Sequence, residues 1–287
     1  MLTTKTKVRL ASLAYKFIST GRVVAGKNNF VTVRRRGLTW SLDLGEGIDF
    51  SIYLLGAFER STVITLERLV KPGDVVLDIG ANIGAHTLGL ARSVGSAGKV
   101  FAFEPTDFAF DKLKRNLALN PELQARTYPR QILLAAEPTE DAPKEIFASW
   151  PLEKDASVHP KHRGRQVTAR NAAVDTLDRT VAREGIDRVN VIKIDVDGHE
   201  LPVLQGGLAV LTRFRPVLVM EMSPYVHAEE RNSFPALVAL LREAGYSIQH
   251  ASTWAPLPLR QTELEALIPD GASLNVIARP DGKLTVR

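Results

Sequence analysis

The chain has 287 residues, of which 45% are hydrophobic and 24% charged, and both shares are ordinary for a globular protein. This argues against a wholly disordered chain, and no apolar run approaches the roughly 20 residues that a membrane-spanning helix needs. The length predicts one or two domains. Because the sequence contains no cysteine, it excludes disulfide bonds, thiolate metal sites and a cysteine nucleophile, and we expect a cytoplasmic protein.

The net charge of +5 is unevenly distributed along the chain. Residues 1–42 contain nine basic residues and no acidic one, which leaves a mildly acidic remainder with a net charge of −4. Within Val8–Ser19, apolar residues recur at helical spacing and predict a short amphipathic helix. Alternating apolar residues predict a hairpin over Phe30–Leu44. We therefore predict a basic helix-and-hairpin appendage over residues 1–70.

The role of residues 1–42 stays open at this point. One interpretation is contact with a membrane surface, a nucleic acid or an acidic partner. The other is a helix that packs on the main domain and keeps a solvated basic face.

Strands and helices alternate from residue 71 to the end of the chain. The predicted strands are Val75–Ile79, Lys99–Phe103, Ile132–Ala136, Asn190–Val196, Pro216–Met222 and a final pair, Tyr246–His250 with Leu274–Ala278. The predicted helices are Ala85–Val94, Asp107–Leu119, Glu200–Thr212 and Phe234–Ala244. This alternation predicts an α/β domain with a parallel sheet over residues 71–287. The polar segment Pro138–Arg170 fits loops with one or two short strands.

A glycine-rich bend follows the first of these strands. It contains Asp78, Gly80, Asn82 and Gly84, and the glycines allow a tight turn, close approach of a ligand and close packing of the next helix. A nicotinamide fingerprint would need glycine at position 82. Glu104 stands 20 residues after Gly84 at the tip of the second strand, where a carboxylate can accept hydrogen bonds from both ribose hydroxyls of an adenosine.

A second polar cluster lies at the end of the fourth strand. Strand periodicity places Lys193 and Asp195 on one side, and a buried lysine needs carboxylate partners, for which we predict Asp78 and Glu221. The candidate catalytic residues are Asp195, Glu221, His199 and Lys193. Asp195 or Glu221 could orient or deprotonate an acceptor hydroxyl, whereas the alternative is a structural ion-pair network. Since adjacent residues of this segment point to opposite faces, we predict no metal site.

Together these segments resemble the FkbM-type S-adenosylmethionine-dependent methyltransferase family. The resemblance covers Gly47 to Met222 and rests on Ile48, Asp49, Gly56, Glu59, Pro72–Asp74, Asp78–Gly84, Phe103–Pro105, Asn116, Asn120, Asp175–Asp178, Lys193–Glu200, Val203, Leu204, Gly206, Arg215, Pro216 and Glu221. One departure is Asp197, where the family commonly has glutamate.

The resemblance implies a Rossmann-like class I methyltransferase fold, with a mostly parallel seven-stranded sheet and helices on both faces. It also implies S-adenosylmethionine as the methyl donor and O-methylation of a hydroxyl on a small molecule or sugar-containing metabolite. The implied site residues are Asp78, Gly80, Asn82 and Gly84 at the methionine part, Glu104 at the ribose, Ala135 near the adenine and Asp195 at the transferring methyl.

Three alternatives remain beside this prediction: a nicotinamide-dependent oxidoreductase, a nucleic-acid methyltransferase that uses the basic segment, and a binding module with a vestigial pocket. Nucleic acid is the less favoured acceptor, because the sequence contains no N/D-P-P-Y/F motif. Ser223–Phe234 is a candidate acceptor-pocket segment that contains Tyr225 and His227. We expect His227 to be a solvated loop histidine rather than a base.

Overall fold

The computed structural model describes residues 4–139, 145–148, 151–152, 165–227 and 233–281. The N-terminal elements are α1 (Thr4–Val24), β1 (Phe30–Arg35), β2 (Leu38–Asp43), α2 (Gly47–Leu55) and α3 (Arg60–Leu69). β1 and β2 form the predicted hairpin, and α1 extends beyond the predicted helix at both ends. None of the helices in the described part of the chain is long and apolar enough to cross a lipid bilayer.

The remaining elements follow in chain order from residue 75. They are β3 (Val75–Ile79), α4 (Thr87–Ser93), β4 (Lys99–Phe103), α5 (Asp107–Ala118), α6 (Pro121–Gln124), β5 (Thr127–Arg130), β6 (Ile132–Leu134), β7 (Glu145–Ala148), β8 (Arg165–Thr168), β9 (Ala173–Asp175), α7 (Leu177–Arg183), β10 (Val191–Ile194), α8 (Glu200–Gln205), α9 (Leu208–Phe214), β11 (Val217–Met222), α10 (Pro224–His227), α11 (Ser233–Glu243), β12 (Tyr246–His250), β13 (Pro256–Leu257), α12 (Gln261–Leu267) and β14 (Leu274–Pro280).

The main sheet has the strand order β13-β12-β14-β11-β10-β3-β4-β5. The five strands from β11 to β5 run parallel, β14 is antiparallel to β11, and β12 is antiparallel to β14. The α/β fold with a mostly parallel sheet is thus confirmed. The two-residue strand β13 adds an eighth strand at one edge.

Both faces of this sheet are covered, as strand periodicity requires. Leu77 of β3 packs in one apolar cluster with Leu237 of α11, whereas its neighbour Val76 packs on the other face with Leu90 of α4. Because β3 is fully buried on both faces, its sequence is continuously apolar apart from Asp78.

The N-terminal elements pack against α5 through a shared apolar cluster. Trp40 of β2 and Phe50 of α2 belong to the same cluster as Leu113 of α5. Tyr15 of α1 is buried there, with its ring edge-on to Phe50 at a centroid distance of 5.8 Å. The division of the chain at residue 70 stays a prediction.

Two predicted elements differ from the structure. The third sheet strand is β5, whereas part of the predicted strand Ile132–Ala136 forms β6 and pairs with β9 in a separate two-stranded sheet. β5 is polar and contains Pro129, which an edge strand tolerates because its backbone nitrogen is not needed for pairing.

The predicted helix Glu200–Thr212 is two helices, α8 and α9, separated at Gly206 and Gly207. A Cβ at Gly206 would lie 2.1 Å from the carbonyl oxygen of Ala135, so the chain approaches β6 too closely for a side chain there.

The segment Pro138–Arg170 contains the predicted short strands, since β7 and β8 pair antiparallel there. Residues 140–144, 149–150 and 153–164 of this segment lie outside the described residues.

Candidate active site

The glycine-rich bend connects β3 to α4 at the carboxyl end of the sheet. Gly80 has a left-handed φ of +75°, and its N–H donates to the carbonyl of Phe103 at 3.0 Å. A Cβ at Gly80 would lie only 1.9 Å from the carbonyl oxygen of Asp195, so glycine is required where β3 and β10 end side by side. Asn82 is also left-handed, with φ of +49°.

Glu104 closes this bend from the tip of β4. Its Oε2 accepts a hydrogen bond from the N–H of Asn82 at 2.9 Å, and its Oε1 accepts from the N–H and hydroxyl of Thr106. Burial raises the pKa of Glu104, although the hydrogen bonds from Thr106 and Asn82 oppose that shift. The carboxylate therefore lies in a fixed orientation beside the bend, at the position predicted for ribose binding.

Lys193 of β10 is buried and holds the ends of the neighbouring strands β3 and β10 together. Its Nζ donates to the carbonyl of Gly80 at 2.9 Å and lies 3.4 Å from Asp78 Oδ1 and 3.5 Å from Asp195 Oδ2. Burial alone lowers the pKa of Lys193, but the carboxylates of Asp195 and Asp78 outweigh it and raise that pKa. Of the two predicted partners of Lys193, Asp78 contacts the ammonium, and Asp78 Oδ2 also accepts from Thr87 Oγ1 at 2.6 Å. Glu221 forms no ion pair with Lys193 within the described residues, where the second carboxylate is that of Asp195.

Two further acids lie near Asp195. Burial, followed by the charges of Asp195 and Glu221, raises the pKa of Asp197 well above its usual range. Burial also raises the pKa of Glu221 to about 8, with Asp195 and Glu59 adding to the shift. Glu221 therefore holds its proton to a higher pH than an ordinary glutamate does.

A cavity of about 380 Å³ opens between these groups, within the size range of small-molecule sites. The predicted site residues that line it are Gly80, Asn82, Glu104, Lys193, Asp195 and His199. Those that do not line it are Asp78, Gly84, Ala135 and Glu221. Asp78 and Gly84 support the lining from behind, since Asp78 contacts Lys193, and a Cβ at Gly84 would lie 2.9 Å from Leu88 and Leu113.

The residue predicted near the adenine, Ala135, does not line the cavity. Leu133 and Leu134 of β6 line the cavity, whereas the Ala135 N–H donates to Asp175. His199 reaches the same strand, with its Nε2 3.1 Å from the carbonyl oxygen of Leu134. The apolar β6 side chains thus lie where a flat ring could pack.

His227 is buried rather than solvated, so the expectation for this residue was wrong. Its Nε2 lies 3.1 Å from Glu200 Oε2, and its Nδ1 lies 2.6 Å from Ser233 Oγ. The loop position in the sequence did not reveal these partners, because Glu200 belongs to α8 and Ser233 begins α11. The three side chains connect α8, α10 and α11 inside the protein.

Two residues beside Asp195 were not identified as functional from the sequence. Glu59, His86 and Asp195 each offer a ligand atom, and these atoms lie within 4.8 Å of one another. Burial, reinforced by the charge of Lys193, lowers the pKa of His86 to about 3 and keeps its ring neutral. His86 follows Gly84 by two residues and could have been noticed there, whereas only tertiary structure brings Glu59 to this place.

Comparisons with known proteins identify the family of the chain. The family model described as the methyltransferase FkbM domain matches residues 78–248, which is more than half of the chain. The chain belongs to the FkbM methyltransferase family. That membership decides against the nicotinamide-dependent alternative, and it makes the chain an S-adenosylmethionine-dependent methyltransferase of the FkbM type.

Several curated proteins of the FkbM type are similar to this chain. Methyltransferase sdnD of Sordaria araneosa is 28% identical over 208 residues, covering 63% of this chain and 77% of its own. The hexuronic acid methyltransferase AglP of Haloferax volcanii is 29% identical, covering 56% and 61%. The 31-O-demethyl-FK506 methyltransferase FkbM of Streptomyces tacrolimicus is 29% identical, covering 62% and 75%.

Solved methyltransferase structures are also similar at low identity. The FkbM methyltransferase of Methylobacillus flagellatus is 15% identical, with a TM-score of 0.45, and the match covers 82% of this chain and 60% of that one. A SAM-dependent O-methyltransferase of Thermotoga maritima is 17% identical, with a TM-score of 0.44, and the match covers 91% and 82%. The sheet order and the family membership together give the Rossmann-like methyltransferase fold.

The residues of the cavity fit the donor of this family. S-adenosylmethionine carries an adenosine with two ribose hydroxyls, which match the fixed Glu104 carboxylate at the strand tip. Its sulfonium is a cation, and the lining of the cavity also contains the acids Asp195 and Asp197. Gly80 and Asn82 of the bend line the same cavity.

Proposed function

We propose that the chain transfers the methyl group of S-adenosylmethionine to a hydroxyl oxygen of a small molecule or a sugar-containing metabolite. The observation that carries the proposal is the placement of Glu104, the Gly80–Asn82 bend and Asp195 around one cavity. A donor that spans this cavity from Glu104 to Asp195 presents its reactive end to the acid.

The donor-binding roles follow from fixed geometry. Glu104 accepts the ribose hydroxyls, while its hydrogen bonds with Asn82 and Thr106 keep the carboxylate from rotating. The backbone of Gly80 and Asn82 lies along the methionine part of the donor. Leu133 and Leu134 of β6 pack on the adenine, in place of the predicted Ala135. Asp78 and Gly84 act indirectly, by holding Lys193 and α4.

The acceptor role belongs to Asp195. S-adenosylmethionine supplies a methyl group on a sulfonium sulfur, which leaves as a neutral thioether. Asp195 accepts the hydroxyl proton of the acceptor, so that the oxygen lone pair faces the methyl carbon for in-line displacement. As the C–O bond forms and the C–S bond breaks, the proton passes to the Asp195 carboxylate. Lys193 positions that carboxylate through its contact with Oδ2.

The acceptor class is supported by the relatives. The names of two of them specify a hexuronic acid and an oxygen position of FK506, both of which bear hydroxyl groups. Acidic side chains such as Asp195 and Asp197 suit the recognition of hydroxyl donors. These features favour a hydroxylated acceptor over a nucleic acid.

The cytoplasmic location stays a prediction.

The test separates chemistry from donor binding. A tritiated-methyl screen over hydroxylated sugars and metabolites first identifies an acceptor, and Asp195→Asn is then compared with wild type. We expect turnover to fall by about 10²–10⁴-fold, the range for a lost acid–base group, while donor affinity measured by calorimetry changes by less than tenfold. The exposed Asp187 gives the control variant Asp187→Asn. Unchanged turnover in Asp195→Asn would contradict the assignment.

A further inference from the structure

We propose that Glu59, His86 and Asp195 bind one divalent transition-metal ion in the wall of the donor cavity. This deepens the proposed function, because the ion would lie where the acceptor oxygen must approach the methyl group. It also revises the prediction of no metal site. That prediction considered the acids and the histidine at the ends of β10 and β11, whereas two of the three ligands, Glu59 and His86, directly precede α3 and α4.

The three ligand atoms already converge. One atom from each side chain lies within 4.8 Å of the other two. Three ligands at about 2.0–2.2 Å from one tetrahedral ion lie roughly 3.5 Å apart. Side-chain movements of up to about 1 Å would therefore bring all three atoms into coordination at that spacing.

His86 gives an independent sign of a missing partner. The residue is 4% exposed, and neither ring nitrogen has a hydrogen-bond partner within the part of the chain that the structure describes. Leaving buried polar atoms unsatisfied costs free energy. His86 also lines the cavity beside Phe58, so its ring is directed to a place that a ligand can reach. A neutral imidazole is the form in which histidine binds metals.

Glu59 is held in place as a ligating carboxylate would be. Its Oε2 accepts hydrogen bonds from Thr62 Oγ1 at 3.0 Å and from Asn275 Nδ2 at 3.2 Å. Its backbone has a left-handed φ of +43°, which is unfavourable for a residue with a side chain. Such supporting contacts orient carboxylates toward metals. Here they fix a strained residue next to His86 and Asp195, which line the cavity.

The formal charges around the cluster also accommodate a cation. Lys193 stands beside Asp195, but its ammonium is shared with Asp78 and with the carbonyl of Gly80. Three carboxylates, those of Glu59, Asp78 and Asp195, thus face one ammonium. The formal excess of two negative charges equals the charge of one divalent ion.

The ligand set selects the class of metal. Two carboxylates and one imidazole suit Mn²⁺, Fe²⁺, Co²⁺ or Zn²⁺ better than Mg²⁺ or Ca²⁺, which prefer oxygen ligands alone. Because His86 and Asp195 both line the cavity, the remaining coordination positions face it. Three protein ligands with open positions are typical of a catalytic metal. A hydroxyl oxygen bound there would lose its proton more readily, and Asp195 lies beside it.

The test uses the full chain and measures metal directly. After chelator treatment, Mn²⁺ is titrated by electron paramagnetic resonance and Zn²⁺ by calorimetry, and we expect one ion per chain. Glu59→Gln and His86→Phe should each weaken binding at least tenfold, while the controls Glu67→Gln and His250→Gln should bind as wild type does. Should His86→Phe fail to fold, His86→Gln replaces it. Wild-type protein without stoichiometric binding, or equal affinity in all variants, would overturn the proposal.

Failure of the metal site is distinguishable from failure of the proposed function. Wild-type protein that binds no ion but still transfers methyl groups overturns the metal proposal and leaves the methyltransferase assignment intact. Stoichiometric Mn²⁺ binding that Glu59→Gln abolishes supports the site, whichever acceptor is found.

A separate observation concerns the surface of α1, and from it we infer that this helix lies on an anionic lipid membrane. Tyr15, Ala11 and Ile18 pack against the protein core. Leu10, Leu13 and Phe17, at helical spacing beside them, are 55%, 60% and 85% exposed. The helix therefore has a second apolar stripe that the described part of the fold leaves uncovered.

Charge favours an anionic lipid surface as the occupant. The exposed residues Arg9 and Lys16 flank the apolar stripe, and residues 1–42 contain no acidic residue. Basic residues beside exposed leucine and phenylalanine are typical of helices that lie in the membrane interface. Each basic residue near an anionic surface adds attraction that salt weakens.

Vesicle sedimentation of the full chain tests this inference. We expect binding to vesicles of 70% phosphatidylcholine and 30% phosphatidylglycerol, at least tenfold weaker binding to pure phosphatidylcholine, and at least tenfold loss in the double variant Leu13→Ser, Phe17→Ser. Leu208→Ser on α9 is the control, since Leu208 is also exposed. Equal binding of the double variant, or retention on polyglutamate but not on vesicles, would overturn the inference.

Discussion

Lys193 and Asp78 are direct neighbours in the register of the parallel strands β10 and β3, and their side chains form a buried ion pair. Both are almost completely inaccessible, so this pair lies in the core at the point where the donor cavity begins. A charge in such a place is stable only with its partner. The pair therefore links the stability of the sheet to the geometry of the cavity.

Lys193→Met should destabilise the protein strongly. The change leaves Asp78 buried without its ammonium, and breaking a buried pair in this way typically costs about 3–5 kcal/mol. The free energy of unfolding from urea denaturation measures the effect.

The double variant Asp78→Asn, Lys193→Met is the matched control. Because it removes both charges, we expect it to regain at least half of the stability lost in Lys193→Met, since uncharged replacements of buried pairs are often neutral. A double variant that is less stable than Lys193→Met would show that the pair is not the source of the loss.

Gly80→Ala should disrupt the bend by a clash rather than by backbone strain alone. The added Cβ would lie 1.9 Å from the carbonyl oxygen of Asp195, so the bend must move away from β10. We expect at least tenfold weaker donor binding by calorimetry and a stability loss of a few kcal/mol. Gly73→Ala is the control, because Gly73 also has positive φ (+90°) but open space at its Cβ position. Similar losses in both variants would refute the clash.

The parts of the site that the sequence predicts are local in the chain. The bend at Gly80 and the acid Glu104 each follow a strand whose apolar run is easily recognised, and strands of a parallel sheet end at one edge. Lys193 stands out because a charge interrupts an apolar strand. Its partner Asp78 could be predicted once the neighbouring strands were assigned.

The parts that the sequence does not predict depend on contacts between distant segments. Glu59 reaches Asp195 only through tertiary contacts, and Asn275 near the start of β14 donates a hydrogen bond to its carboxylate. His227 looks exposed in a polar segment, yet Glu200 and Ser233 enclose it. The strand β5 carries no apolar alternation, because an edge strand with Pro129 has little to bury.

Glu104→Gln should weaken donor binding without unfolding the protein. The glutamine amide group replaces one acceptor oxygen with a donor, so it faces the N–H of Asn82 or the donors of Thr106 unfavourably. We expect the Kd of S-adenosylmethionine, measured by calorimetry, to rise about tenfold or more. Thr106→Val, which removes only one hydroxyl contact, should have a smaller effect. Unchanged affinity in Glu104→Gln would remove this carboxylate from the donor site.

The buried pair of Asp49 and Lys112 should make stability depend on pH. Asp49 of α2 accepts from the ammonium of Lys112 and from the N–H of Asp43, at 2.7 Å. Burial raises the pKa of Asp49 to about 6 from its usual 3.8, even though Lys112 opposes the shift. The folded state therefore holds the Asp49 proton more tightly than the unfolded chain does. The stability that this bound proton contributes is lost as the pH rises from about 4 through 6.

Asp49→Asn removes this titration while keeping an acceptor oxygen for Asp43 and Lys112. The difference in unfolding free energy between the variant and wild type should shift in favour of the variant as the pH rises from 4 to 7. The full shift is on the order of 3 kcal/mol, since two pKa units separate the folded and unfolded states. Urea denaturation of both proteins at intervals of half a pH unit measures it. A difference that is constant over this range, or that moves in favour of wild type, would mean that Asp49 is already ionised in the folded protein at pH 4.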